Sequence, residues 1–315
     1  MITLPPGLHD GIAESLYHED VCVAPSLSAS IAKLLISRSP AHAWAAHPAL
    51  NNRWRPDTPS NQQDIGTAAH SLLLGIGKGL VKIDAPDFRT KAAQAERDKA
   101  RLGGFVPVLE MRAQAIEDMI AAAHRQLAAH EVGDVFADCR PEVTMVWREG
   151  PTWCRARIDC LPAGWLDGRR ARIVDYKTTS GSAEPDAMTA RLYDMGADVQ
   201  AAFYERGIKT LYPQVEDVEF LFIGQETDPP YALSVVSLSN LAIEQAREKV
   251  AEALKVWRAC MDANRWPGYP PRICRVDPPG WESHRHEERK QLGTTPSELL
   301  KVAMDWQRPH GRDAA

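Results

Sequence analysis

No C-x-x-C pair occurs in this chain, although it carries 6 cysteines in 315 residues. The spacing excludes the common zinc ribbons, and the cysteines are read as free thiols rather than disulfides or a metal site. No run of about 18 apolar residues is present that could span a membrane as a helix. The start also lacks the charged-then-apolar pattern of a signal peptide, so a cytoplasmic protein is expected. Positive charge is not in excess: 37 Lys and Arg stand against 42 Asp and Glu, a net charge of −5. That balance does not exclude a nucleic-acid partner, because such an enzyme needs positive potential only along the phosphate track and carboxylates at its metals. Internal repeats and low-complexity tracts are absent. At 44% hydrophobic content the chain can bury a large core. A single enzyme domain is expected over residues 26–285, after an N-terminal extension (1–25) and before a charged linker and C-terminal helix (286–315).

What the chain does contain is a pair of strand-like segments, R-A-R-I-D at residues 155–159 and A-R-I-V-D-Y-K-T-T at 171–179. Side chains on a strand alternate between faces, so Asp159 shares a face with Arg157, and Asp175 shares one with Lys177. If the two segments pair as a hairpin, Asp159 and Asp175 converge with Lys177 beside them. Magnesium takes one or two protein carboxylates and keeps several waters, and Asp159, Asp175 and the carbonyl of Tyr176 form such a set. A bound metal lowers the pKa of its water and neutralises charge on a phosphate. Lys177 is placed to orient or deprotonate the attacking water, helped by any fall in its pKa near the metal. Taken alone, a D-x-K on a strand is more often a solvated edge or an ion pair.

Further motifs flank this pair in a fixed order: G-T-A-A-H at residues 66–70, P-E-V-T-M-V at 141–146, and Q-A-A-F-Y at 200–204. The series resembles the RecB-like branch of the PD-(D/E)XK nuclease superfamily. L-S-A-S-I-A-K-L-L-I-S-R-S-P-A-H-A-W at 27–44 and W-P-G-Y-P at 266–270 resemble, more narrowly, the exonuclease VIII (RecE-type) nucleases of phages and prophages. The resemblance implies an α/β (α+β) fold with a central mixed sheet flanked by helices, and extra N-terminal helices. It implies that His70 is a metal ligand and that Gln200 and Tyr204 lie near the DNA backbone and the catalytic Lys177. The iron–sulfur cysteines of some relatives are missing. The implied activity is Mg2+-dependent digestion of one strand from double-stranded DNA ends, with Mn2+ able to substitute, and the implied partner is a single-strand annealing recombinase. A homo-oligomer is expected, and no membrane.

Glu142 is read either as an accessory acid or as a structural ion-pair partner. Arg157 could hold a phosphate or pair with Glu142, and Thr178 is a further DNA-binding candidate. Arg89 and Lys91, in a basic helical stretch that includes Arg97, Lys99 and Arg101, and the cluster of Arg169, Arg170 and Arg172 are candidates for phosphate contact. Helices are predicted near 28–35, around Trp44, around His70, and over 90–101, 109–129, 199–210 and 241–263. Strands are predicted near 142–148, 153–161, 171–178, 218–224 and 232–237. Thr295, Pro296 and Glu298 give strong helix-start signals. The helix that follows carries an apolar stripe of Leu299, Val302, Ala303 and Trp306, read as docking on a second subunit, a recombination partner, or its own domain.

Overall fold

Side-chain N-caps from Ser28, Ser60, Thr90, Glu184 and Ser239 each open a helix in the computed structural model, which describes residues 3–56, 58–77 and 79–306. In chain order the elements are β1 (Gly7–His9), α1 (Glu14–His18), β2 (Ser26–Leu27), α2 (Ala29–Ser37), α3 (Pro40–Ala46), α4 (Asn61–Leu74), β3 (Leu80–Ile83), α5 (Lys91–Leu102), β4 (Val106–Leu109) and α6 (Glu110–Ala128). They continue with β5 (Cys139–Glu149), β6 (Thr152–Pro162), β7 (Leu166–Asp167), β8 (Arg170–Thr179), α7 (Pro185–Met195), α8 (Ala197–Leu211), β9 (Asp217–Glu226), β10 (Leu233–Ser237), α9 (Asn240–Ala263), α10 (Gly280–Gln291) and α11 (Pro296–Trp306). Ser28, Thr90 and Ser239 each accept a backbone N–H of the first turn that follows. A capping box of Ser60 and Gln63 opens α4, and Gly75 closes it with φ of 66°, a left-handed conformation natural to glycine.

The main sheet runs β1-β5-β6-β8-β9-β10, with β2 beside β6 and β7 beside β8. Most pairings are antiparallel; β8 with β9 and β2 with β6 are parallel. One face packs on α2, α8 and α9 through Leu27, Trp147, Phe203, Phe222 and Trp257. The other packs on α4 and α6 through Ala69, Leu73, Met119 and Leu127. This is the expected mixed sheet between helical layers. Among the described residues no helix is long and apolar enough to cross a membrane. All six cysteines are free.

Three features differ from the sequence expectations. Residues 1–25 are not a separate extension: β1 pairs with β5, opposing Gly7 to Val146, and Asp20, Val21 and Cys22 are buried. Helix α7 was not foreseen, although Glu184 caps it and Pro185 opens it. The expected boundary at 285/286 falls inside α10, whereas two compact units meet between Gly268 and Tyr269. The charged stretch read as a linker is helical because its charges alternate at helical spacing: Glu282 pairs with Arg285, His284 with Glu288, and Glu287 with Lys290. In this second unit Glu298 accepts the N–H of Thr295 at 3.1 Å, and Leu299, Leu300 and Met304 are exposed. The side chains of Val302, Ala303 and Trp306 lie outside the described residues.

Candidate metal centre and active site

Strands β5, β6 and β8 bring Glu142, Asp159 and Asp175 into one row. The registers Pro141↔Cys160 and Val143↔Ile158 set Glu142 opposite Asp159, and Cys160↔Val174 sets Asp159 opposite Asp175. Neither acidic pair belongs to a ladder itself. Glu142 takes φ of 49°, a left-handed conformation that costs a non-glycine residue about 1–3 kcal/mol. The facing of β6 also slips here: Ile158 packs in one core and Cys160, two residues on, in the other. The strand is therefore irregular at Asp159, where regular alternation would put Ile158 and Cys160 on one face.

Helix α4 delivers His70. One turn earlier, a Cβ on Gly66 would lie 3.1 Å from Thr178 Oγ1, so the glycine lets the helix approach β8. Arg101 of α5 pairs with the buried Asp64 at 2.5 Å and braces the start of α4. The imidazole then lies between two acids, with Nε2 3.2 Å from Asp159 Oδ2 and Nδ1 3.6 Å from Glu142 Oε1. From the other side α8 supplies Gln200, whose amide donates to Asp175 Oδ1 at 2.6 Å. Lys177 Nζ lies 2.6 Å from the buried Asp175 Oδ2. Asp159 Oδ2 accepts the N–H of Tyr176 at 3.1 Å. Because the N–H and C=O of one strand residue face the same neighbour, the Tyr176 carbonyl is turned toward Asp159 as well.

Burial pushes the Asp175 carboxyl up to about 6, and Asp159 reinforces the shift against the pull of Lys177 and Gln200. For Asp159 burial acts in the same upward direction, but His70, Lys177 and the Tyr176 N–H outweigh it and hold the carboxyl low. Burial alone would lower Lys177, yet Asp175 and Asp159 raise it. His70 is likewise raised, burial being overcome by Asp159, Glu142 and Asp175.

These residues suit a hard divalent ion. The buried Asp175 Oδ2 is faced by the Lys177 ammonium, a cation whose place a divalent ion can take, and Asp159 Oδ2 is met by a backbone N–H and an imidazole that can yield its proton. Among the described residues no group of three or more metal-ligating side chains is already gathered for an ion. Lys177 and Gln200 contact Asp175, and His70 contacts Asp159.

Other predicted site residues are placed differently. Tyr204 donates to the Arg157 carbonyl at 2.8 Å and packs on Phe220, so its hydroxyl braces β6. Arg157 is paired with Glu142, which favours the ion-pair reading over a phosphate ligand. Thr178 sits beneath Gly66. Arg89 is exposed and paired with Asp87 at 3.5 Å, and Lys91 is exposed at the first residue of α5. Arg169, Arg170 and Arg172 pair with Glu216, Asp217 and Glu219, which offsets the positive charge expected there. Sequence reasoning missed the buried network of Asp20, Ser26, His47 and Arg155, whose members lie too far apart in the chain to leave a local signal.

The fold and the row of acids flanked by histidine and lysine define a domain of the PD-(D/E)XK nuclease superfamily. Residues 28–275 match the family described as a PDDEXK-like domain of unknown function (DUF3799), and the chain belongs to that family. Nucleases of this superfamily generally use divalent metals. A candidate exonuclease from Eubacterium rectale has a similar fold, with 12% identity over 86% of this chain and 97% of that one and a TM-score of 0.54. A phage-related exonuclease from Haemophilus somnus 129PT aligns over 62% of this chain and 95% of that one at 13% identity, with a TM-score of 0.27. No curated protein matches the chain.

Proposed function

We propose that this protein is a magnesium-dependent exodeoxyribonuclease of the exonuclease VIII (RecE) type. It degrades one strand of linear double-stranded DNA, 5′ to 3′, and exposes single strands for phage-type recombination with an annealing recombinase. The observation that carries the reading is the convergence of Asp159 and Asp175, with Lys177 Nζ 2.6 Å from Asp175 Oδ2, inside a PDDEXK-like domain.

Asp159, Asp175, the Tyr176 carbonyl and neutral His70 would hold Mg2+, or Mn2+ in its place. The ion supplies an activated water and neutralises phosphate charge. Lys177 orients that water, and Gln200 fixes the Asp175 carboxylate through Oδ1. Arg89 and Lys91 are exposed cations available to the DNA backbone. The rival readings are a DNA-binding module without cleavage, against which the intact trio of Asp159, Asp175 and Lys177 speaks, and a Cas4-like or structure-selective nuclease.

The test is digestion of linear duplex labelled at either the 5′ or the 3′ end, against covalently closed circular duplex, with Mg2+, Mn2+ or EDTA. Early release of 5′ label from linear DNA, metal dependence and intact circles are expected. Binding without digestion would establish the binding module, and cutting of circles would make the protein an endonuclease.

A further inference from the structure

Arg157 connects two parts of the molecule that the sequence keeps apart. Its side chain is 14% exposed and lies against the Tyr17 ring, with Cζ 5.8 Å from the centroid. Nη1 donates to the Ile12 carbonyl at 2.9 Å, and Nη2 donates to Glu142 Oε2. Its own carbonyl is held by Tyr204. Both terminal nitrogens are engaged, so a phosphate would have to share the guanidinium with Ile12 and Glu142. Glu142 Oε1 faces His70 Nδ1 at 3.6 Å, beyond hydrogen-bond length but close enough to orient the ring by charge, and His70 Nε2 lies 3.2 Å from Asp159 Oδ2.

We propose that Arg157 is a positioning residue for the metal centre: anchored on the Ile12 carbonyl, it holds Glu142 so that Glu142 aims His70 Nε2 at the ion. The inference rests on the metal-dependent reading above and adds the N-terminal segment to the site. A carboxylate behind a ligating histidine fixes which ring nitrogen carries the proton and how the ring is turned. Glu142 could not do this unaided, because its left-handed backbone gives the side chain no regular strand direction; the fork of Arg157 supplies one. Charge alone predicts the opposite effect, since a cation close to a divalent ion weakens its binding. The two contributions are therefore separable by sign.

The experiment is calorimetric titration of full-length protein with Mn2+, alongside melting curves, for the parent, Arg157→Lys, Arg157→Met and Glu142→Gln. Lysine keeps the charge but cannot grip both Ile12 and Glu142. Positioning predicts about ten-fold weaker Mn2+ binding for both Arg157 variants and for Glu142→Gln, the usual effect of losing a partner behind a metal ligand. Parent-like affinity in Arg157→Lys, or tighter binding in Arg157→Met, would overturn it, as would a parent that binds no Mn2+. If Arg157→Met does not fold, the lysine variant decides alone. A parent that binds Mn2+ yet leaves DNA intact defeats the nuclease reading, while the affinity series still decides the role of Arg157.

Discussion

Replacing Asp175 with asparagine should stabilise the metal-free protein while abolishing its proposed chemistry. Asp175 is 1% exposed, and burial together with Asp159 moves its carboxyl from 3.8 to about 6. An acid raised in the folded state loses stability as pH climbs from its unfolded value through its folded one. The penalty is thus absent below about pH 4, grows between about 4 and 6, and is complete above. At about 1.4 kcal/mol per pH unit, the shift amounts to roughly 3 kcal/mol. The pull of Lys177 is already contained in that shift, so a gain of about 2–3 kcal/mol at pH 7.5 is expected. Urea denaturation in EDTA at pH 4 and pH 7.5 reads this directly: the variant should exceed the parent only at the higher pH. Mg2+ should then stabilise the parent and not the variant, because only a ligand that binds the folded state shifts its stability. An Asn variant less stable than the parent at pH 7.5 in EDTA would refute the reasoning, since the ion pair with Lys177 would then outweigh the burial of Asp175.

Gly66→Val should lower metal affinity and nuclease activity more than stability, because a Cβ already 3.1 Å from Thr178 Oγ1 lifts α4 and carries His70 away from Asp159; parent-like Mn2+ binding would count against that packing. Arg155→Met leaves Asp20, only 2% exposed, without the cation 3.0 Å from its Oδ2. Three hydrogen bonds from Cys22 and Ser26 remain on Asp20, so a loss of about 3 kcal/mol in urea unfolding is expected, the lower end for breaking a buried pair. A loss below about 1 kcal/mol would mean that the hydrogen bonds alone carry the charge. Removal of residues 269–315 should leave DNA digestion intact, because every proposed site residue lies in the first unit. The same deletion should change the number of subunits found by light scattering if the exposed Leu299, Leu300 and Met304 hold subunits together, and an unchanged subunit number would remove them from assembly.

Much of the fold was legible because its signals are local. The helix-start signals at Thr295, Pro296 and Glu298 and the alternation in β6 and β8 depend on neighbours within a few residues. What stayed hidden depends on pairing. Arg170 and Arg172 look like a free basic patch in sequence, and Asp217 and Glu219 look like a separate acidic one. Only the parallel register Arg170↔Asp217 and Arg172↔Glu219 makes them partners. The role of Arg157 was similarly undecidable: Glu142 was a foreseeable partner, but the Ile12 carbonyl that occupies its other arm lies 145 positions away.

The irregularity at Asp159 shows why the centre lies where it does. A sheet that opens normally strands backbone donors, and a buried N–H without a partner is costly. Between β6 and β8 the ladder consists of the single pair Cys160↔Val174. Immediately beyond it, Asp159 Oδ2 takes the Tyr176 N–H that a continuing ladder would have used. The carboxylate thus replaces a backbone acceptor and lets the strands separate without an orphaned donor. The same side chain then faces His70 and Asp175 across the opening. Substituting Asp159 by alanine would therefore remove a proposed metal ligand and leave the Tyr176 N–H without its acceptor, costing about 1–3 kcal/mol of stability as well as activity. Asp175→Asn should cost activity alone, and that asymmetry between two acids of one centre is measurable in a single pair of melting curves.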